Sequence, residues 1–260
     1  LSNNDGNTAN TVFGYRALTN AGTVLGDVGA DYNTAVGHLA MGTGTTLAAH
    51  NNVAIGYIAL EDLTIGDYNT AVGASSMRNN TDGLRNSAFG YDALGANVTG
   101  DYNTAIGMHS LNANLTHNNT GVGYESGYYT TGGNNTYVGF QAGMGAAGAE
   151  SNNVGVGFQS LFKITSGTEN VAIGKDSMKD NTTGAGNTAV GVEALSNNTT
   201  AAENVAIGKL ALYTATTATL NVAIGNESLR LTNTGGSNVG VGRESGYSGT
   251  THSGSVYLGE

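Results

Sequence analysis

Carboxylates recur through the chain at Asp92, Glu125, Asp176, Glu193, Glu227 and Glu244, and Asp-Tyr-Asn recurs from Asp31, Asp67 and Asp101. Carboxylates brought together can exchange protons with a substrate or cage a cation. Within the first set the closest neighbours, Asp176 with Glu193 and Glu227 with Glu244, lie 17 positions apart. The glycine-aspartate nonapeptide of calcium-loaded β-rolls is absent, so these acids read as a solvated rim. The five histidines, His38, His50, His109, His117 and His252, form no pair at metal-ligand spacing, and no cysteine is present to join them. Serine and threonine abound, yet no nucleophile, base and orienting acid assemble above background. Gly-rich turns open no helix, which excludes phosphate loops. The expectation is a protein that is not an enzyme, with no catalytic residue, no metal site and no cofactor.

Aromatic side chains offer a different chemistry. Tyr15, Tyr57, Tyr91, Tyr124, Phe140 and Phe158 share one position of a recurring unit, together with His38. An exposed aromatic stripe is a candidate recognition face for a cell-surface glycan or a host receptor. The alternative is that these rings stack to hold the molecule or its subunit seam together. The sequons at Asn79, Asn97, Asn114 and Asn181 arise from the repeat itself and argue only weakly for glycosylation.

What positions all of these is an internal repeat. Asn10-Thr-Val-Phe-Gly14 returns as Asn33-Thr-Ala-Val-Gly37, Asn52-Val-Ala-Ile-Gly56, Asn69-Thr-Ala-Val-Gly73, Asn86-Ser-Ala-Phe-Gly90 and Asn103-Thr-Ala-Ile-Gly107. It continues from Asn119, Asn135, Asn153, Asn170, Asn187, Asn204, Asn221 and Asn238, with a last copy at Ser255. Nine of the fourteen intervals are 17 residues, which makes chance no competitor and fixes a coil length. Counting columns from the Asn, the third is mostly Ala, the fourth always apolar and the fifth always Gly. The eighth is Ala or Ser, and the ninth is Leu or Met in 11 of 14 coils.

Alternation ended by Gly predicts a short strand and its turn, and the eighth and ninth columns predict a second. Such a coil is too thin to bury a core alone, so coils must stack. The fold class is therefore all-β: one continuous parallel β-solenoid over 1–260, about 15 coils of ~17 residues, with like residues stacked at ~4.8 Å. The fourth column is expected to point inward, and with it the Thr and Val of the second. The Asn column is expected to form a buried amide ladder, and the Gly column to supply positive φ or close approach at a corner.

The Asn-Val-Ala-Ile-Gly and Asn-Thr-Ala-Val-Gly units resemble the β-roll repeats of trimeric autotransporter adhesin heads and similar repeats of bacteriophage tail fibres. The resemblance covers essentially the whole chain. It implies a left-handed parallel roll and a homotrimer, to which the small Ala, Ser and Gly columns are suited.

Two irregularities stand out. Leu1-Ser-Asn-Asn4 aligns with Leu195-Ser-Asn-Asn198, so the chain starts in mid-coil. It opens on Leu1 with no signal-like segment and stops in mid-coil at Glu260, which reads as a segment of a longer fibre, with end-to-end assembly as the alternative. Gly121-Val-Gly-Tyr-Glu-Ser-Gly-Tyr128 returns as Gly240-Val-Gly-Arg-Glu-Ser-Gly-Tyr247, seven coils later, each time with Gly for the ninth-column Leu and with Tyr137 or Tyr257 in the third column of the next coil. This super-repeat is read as an exchange in which an aromatic fills the space of a missing Leu.

Composition bounds the rest. Of 260 residues 42 are Gly and 39% are hydrophobic, too apolar for a solvated coil. A formal charge of −10 excludes nucleic acid and anionic membrane as partners. No stretch approaches 18 consecutive apolar residues, so membrane insertion is not expected. The leading function is a structural extracellular fibre for surface attachment, as a phage tail-fibre shaft, bacterial adhesin or filament, located outside the cell, on its surface or on a virion, with itself as principal partner. An ice-binding solenoid is the runner-up, and a glycan-processing tailspike comes third.

Overall fold

The computed structural model describes residues 9–19, 29–43, 48–145 and 148–259. Leu1-Ser-Asn-Asn4 and Glu260, on which the reading of the chain ends rested, lie outside them. The chain divides into two compact units, Leu1–Tyr128 and Tyr129–Glu260.

Each unit is a β-solenoid. The first carries β1 (Thr11–Phe13), β2 (Thr34–Val36), β3 (Val53–Ile55), β4 (Thr70–Val72), β5 (Ser87–Phe89), β6 (Thr104–Ile106) and β7 (Thr120–Val122). The second carries β8 (Thr136–Val138), β9 (Val154–Val156), β10 (Val171–Ile173), β11 (Thr188–Val190), β12 (Val205–Ile207), β13 (Val222–Ile224), β14 (Val239–Val241) and β15 (Val256–Leu258). Within a unit each strand pairs with the next, parallel and in repeat register: Thr188 opposes Val205, Ala189 opposes Ala206, and Val190 opposes Ile207.

Side chains alternate across a strand, and the parity here is the reverse of the expected one. The third column points in: Ala35, Ala54, Ala172, Ala189 and Ala206 are fully buried. The fourth points out, Ile55, Ile173 and Ile207 each being 40% exposed. The second column, including Thr34, Thr70 and Val205, shares that outer face and is only half-buried. The reason is width. A coil with one three-residue strand encloses a narrow interior, which third-column Ala and ninth-column Leu or Met already fill; Leu60, Leu94, Leu195 and Leu212 are all fully buried. Branched side chains from the strand have no room there.

The second predicted strand is also corrected. Among the described residues each coil has one strand, and its eighth and ninth columns lie in a run of turns. The seventh and ninth residues take positive φ, as at Leu210 (59°) and Leu212 (50°), while the eighth does not. That conformation costs a non-Gly residue roughly 1–2 kcal/mol, and inter-coil hydrogen bonds offset it. Leu210 N–H donates to Val192 O of the preceding coil (3.0 Å), and Leu212 N–H donates to Ser228 O of the following one (3.0 Å). At the fifth column Gly is required: Gly90 has φ +141°, and a Cβ there would lie 2.6 Å from the carbonyl oxygen of Gly107.

Candidate functional surfaces

The Asn column is a continuous hydrogen-bonded ladder within each unit. Asn204 donates its N–H to Asn187 Oδ1 (3.0 Å) and its Nδ2 to the same oxygen (3.1 Å) and, one coil on, to Ala218 O (2.8 Å). The same bonds recur from Asn33 to Asn52 and from Asn221 to Asn238. Every amide is thus satisfied in a place where an orphan would cost about 1–3 kcal/mol. The column consists of Asn10, Asn33, Asn52, Asn69, Asn86, Asn103 and Asn119 in the first unit, and Asn135, Asn153, Asn170, Asn187, Asn204, Asn221 and Asn238 in the second. A shorter ladder at the twelfth column escaped the sequence reading, although its 17-residue spacing was there to see. Asn97 Nδ2 donates to Asn80 Oδ1 (2.8 Å), and Asn198 Nδ2 donates to Asn181 Oδ1 (3.1 Å). Its members Asn97, Asn114 and Asn181 are fully buried, so those sequons are closed to modification in the folded chain.

Opposite the ladder's inward side chains lies the outer sheet face, built from the second and fourth columns. No strand places a charged residue on it. Phe89, Ile106, Ile173, Ile207, Ile224 and Val241 are exposed there, giving an apolar surface repeated once per coil.

The sixth-column aromatics Tyr15, Tyr57, Tyr91, Tyr124, Phe140 and Phe158 are all exposed. Many spend their faces on one another. Tyr15 and Tyr57 sandwich His38 at 5.4 Å on each side, and Phe140 stacks on Phe158 at 5.3 Å. Tyr91 stands edge-on to His109 at 5.3 Å. A hydrogen bond to the Glu125 carboxylate pushes the Tyr124 phenol up from its ordinary pKa. Two further stacks were not foreseen. Arg85 lies between Tyr68 and Tyr102 at 5.5 Å from each ring, and Arg230 lies between Tyr213 (5.8 Å) and Tyr247 (5.6 Å). In both the three residues are 17 apart.

Seventh-column acids find local partners: Asp92 with His109 (3.5 Å), Asp176 with Lys179 (3.2 Å), Glu227 with Arg230 (3.1 Å) and Glu244 with Arg243 (2.7 Å). Among the described residues no three His, Asp or Glu side chains gather where they could hold a metal ion, and no helix is long and apolar enough to cross a membrane.

Where the repeat breaks, the interior changes character. Glu150 takes a place held in most other coils by Gly or Ala: its carbonyl accepts Asn135 Nδ2 (3.1 Å) as Gly167 O accepts Asn153 Nδ2 (2.9 Å). Its side chain is buried, and burial raises the carboxyl to about 7. Tyr137, fully buried, has its phenol raised by desolvation and then by the Glu150 charge. The expected aromatic exchange holds for one pair, a Cβ on Gly246 lying 2.6 Å from the Tyr257 ring of the next coil, whereas the Tyr137 ring fills the space at Gly143 of its own coil, where a Cβ would strike it.

No protein-family model, no curated protein and no solved structure matches this chain.

Proposed function

We propose that the chain is a segment of an extracellular structural fibre that mediates surface attachment, built as a homotrimer of parallel left-handed rolls. The observation that supports this is the outer sheet face. It is free of charge, apolar along its fourth column and periodic at the coil spacing, in a chain whose net charge is −10. Burying apolar surface stabilises association by roughly 25 cal/mol per Å², and a second copy carries an identical ladder with the same period. Sedimentation of the intact chain at micromolar concentration tests it: the expected mass is three times 26.2 kDa, and a monomer would remove the reading.

The outward second column favours one other reading. Threonine on an in-register outer sheet can order water, which suits ice binding. The column holds Thr at 11, 34, 70, 104, 120, 136 and 188, but Ser at 87 and Val at 53, 154, 171, 205, 222, 239 and 256. These gaps rank ice binding second. Thermal hysteresis from the intact chain, abolished by Thr188→Lys, would reverse the order.

A further inference from the structure

We propose that a slot on the turn flank of the second unit binds one neutral pyranose residue of a glycan. This gives the attachment reading a ligand class, and because the slot lies within one chain its test does not depend on oligomeric state.

The slot is a missing plate in a stack. In three ranks flat groups one coil apart sit 5.3–5.5 Å from one another: Tyr15, His38 and Tyr57; Phe140 and Phe158; Tyr68, Arg85 and Tyr102. Walls two coils apart therefore hold one planar group between them. The tenth column runs Phe162, Lys179, Ser196, Tyr213, Arg230, Tyr247. Arg230 covers one side of Tyr213 at 5.8 Å. In the other direction along the column comes Ser196, whose short side chain leaves the place of a plate open, and then Lys179. The result is a groove of about 450 Å³ lined by both walls, with Ser196 and Asn197 beneath. That volume lies within the range of small-molecule sites, roughly 300–1,000 Å³.

Its chemistry selects the ligand. Tyr213 offers a ring against which the C–H face of a sugar can pack. Asp176, Asp180 and Glu193 line the groove against Lys163 and Lys179, so the lining charge is 2 − 3 = −1, which disfavours uronic and sialic acids. Lys163 binds Asp180 (2.8 Å) and Lys179 binds Asp176 (3.2 Å), which holds those carboxylates in place to accept hydrogen bonds from sugar hydroxyls. Glu193 and Asn197 add an acceptor and an amide. A ligand dense in hydroxyls, uncharged and with one apolar face fits all of these.

The test is saturation-transfer NMR of the intact chain with the methyl glycosides of glucose, galactose, mannose and N-acetylglucosamine, and with glucuronate as an acidic control. Expected is saturable binding of at least one neutral glycoside with a Kd of about 1–10 mM, weakened at least about tenfold by Ser196→Phe, which inserts the plate, and by Tyr213→Ala. Phe162 already occupies this column, so the Ser196→Phe variant should keep the parent melting curve; Tyr213→Ala decides if it does not. No saturable binding of any neutral glycoside, binding unchanged in both variants, or tighter binding of glucuronate would overturn the proposal.

Discussion

The strand and the turn flank of each coil share a backbone repeat and differ in what they vary. Along the strand, the second, third and fourth columns change little: mostly Thr or Val, mostly Ala or Gly, and mostly Val or Ile, with charge never admitted. Along the flank, the tenth column alone runs through Glu61, Arg78, Gly95, Asn112 and Tyr128 in successive coils. The interior beneath both is the same thin layer of Ala, Leu, Met and Asn. Constancy on an outer face that packs against nothing within its unit suits the proposed assembly, whereas variation on the flank leaves room for the proposed local site. The comparison also separates the role of the fourth column, which faces out, from that of the third, which holds the fold.

The sharpest way to break that comparison is a charge on the inner side. Ala206→Asp buries an unpaired carboxylate in a fully packed interior, and should cost more than about 3 kcal/mol and melt the neighbouring coils, as seen by circular dichroism. Next comes the coil in which the pattern is already violated. The Glu150 carboxyl is raised from 4.5 to about 7 in the folded chain. Between those values the unfolded chain has released a proton that the folded chain keeps. Stability contributed by the protonated group is therefore full below pH 4.5 and is lost as pH rises to 7, by on the order of 3 kcal/mol. The difference in urea midpoint between parent and Glu150→Gln should follow that slope and go flat above it. A smaller effect is expected from Asn187→Ala, which strips the acceptor from the N–H and Nδ2 of Asn204. It should lower unfolding free energy by about 1–3 kcal/mol, where an Asn on the flank such as Asn226 should lose almost nothing. Smallest is Phe158→Ala, which removes the stack on Phe140 and should cost about 0.5–1.5 kcal/mol beyond lost area, resolved by a double-mutant cycle with Phe140→Ala.

Much of this was legible in the sequence, though not all of it was read correctly. The period, the parallel register and the Asn ladder follow from the Asn-x-Ala-x-Gly spacing alone. Parity was also available: if Asn at the first column is buried, period 2 buries the third and turns the fourth outward. Placing both the first and the fourth columns inside was inconsistent, and the apolar character of Val and Ile concealed it. What could not be read is the turn flank, because positive φ at Leu212, Glu193 and Glu244 runs against the local preference of those residues. Only stacking on neighbouring coils makes it affordable. The Tyr68, Arg85, Tyr102 stack and the open place above Ser196 were encoded in 17-residue spacing, but no motif marks them, since their chemistry arises between coils.

The account rests on the outward direction of the fourth column, and native mass spectrometry of Val190→Asp tests it directly, since one spectrum reports both compactness and mass. Val190 is only half-buried beside fully buried Ala189. The prediction is a compact chain with a narrow, low charge-state distribution like the parent's, at the monomer mass of 26.2 kDa, with the parent expected at the trimer mass. An expanded, highly charged Val190→Asp chain would show that the fourth column points inward after all, and a compact trimer would show that the sheet face takes no part in assembly.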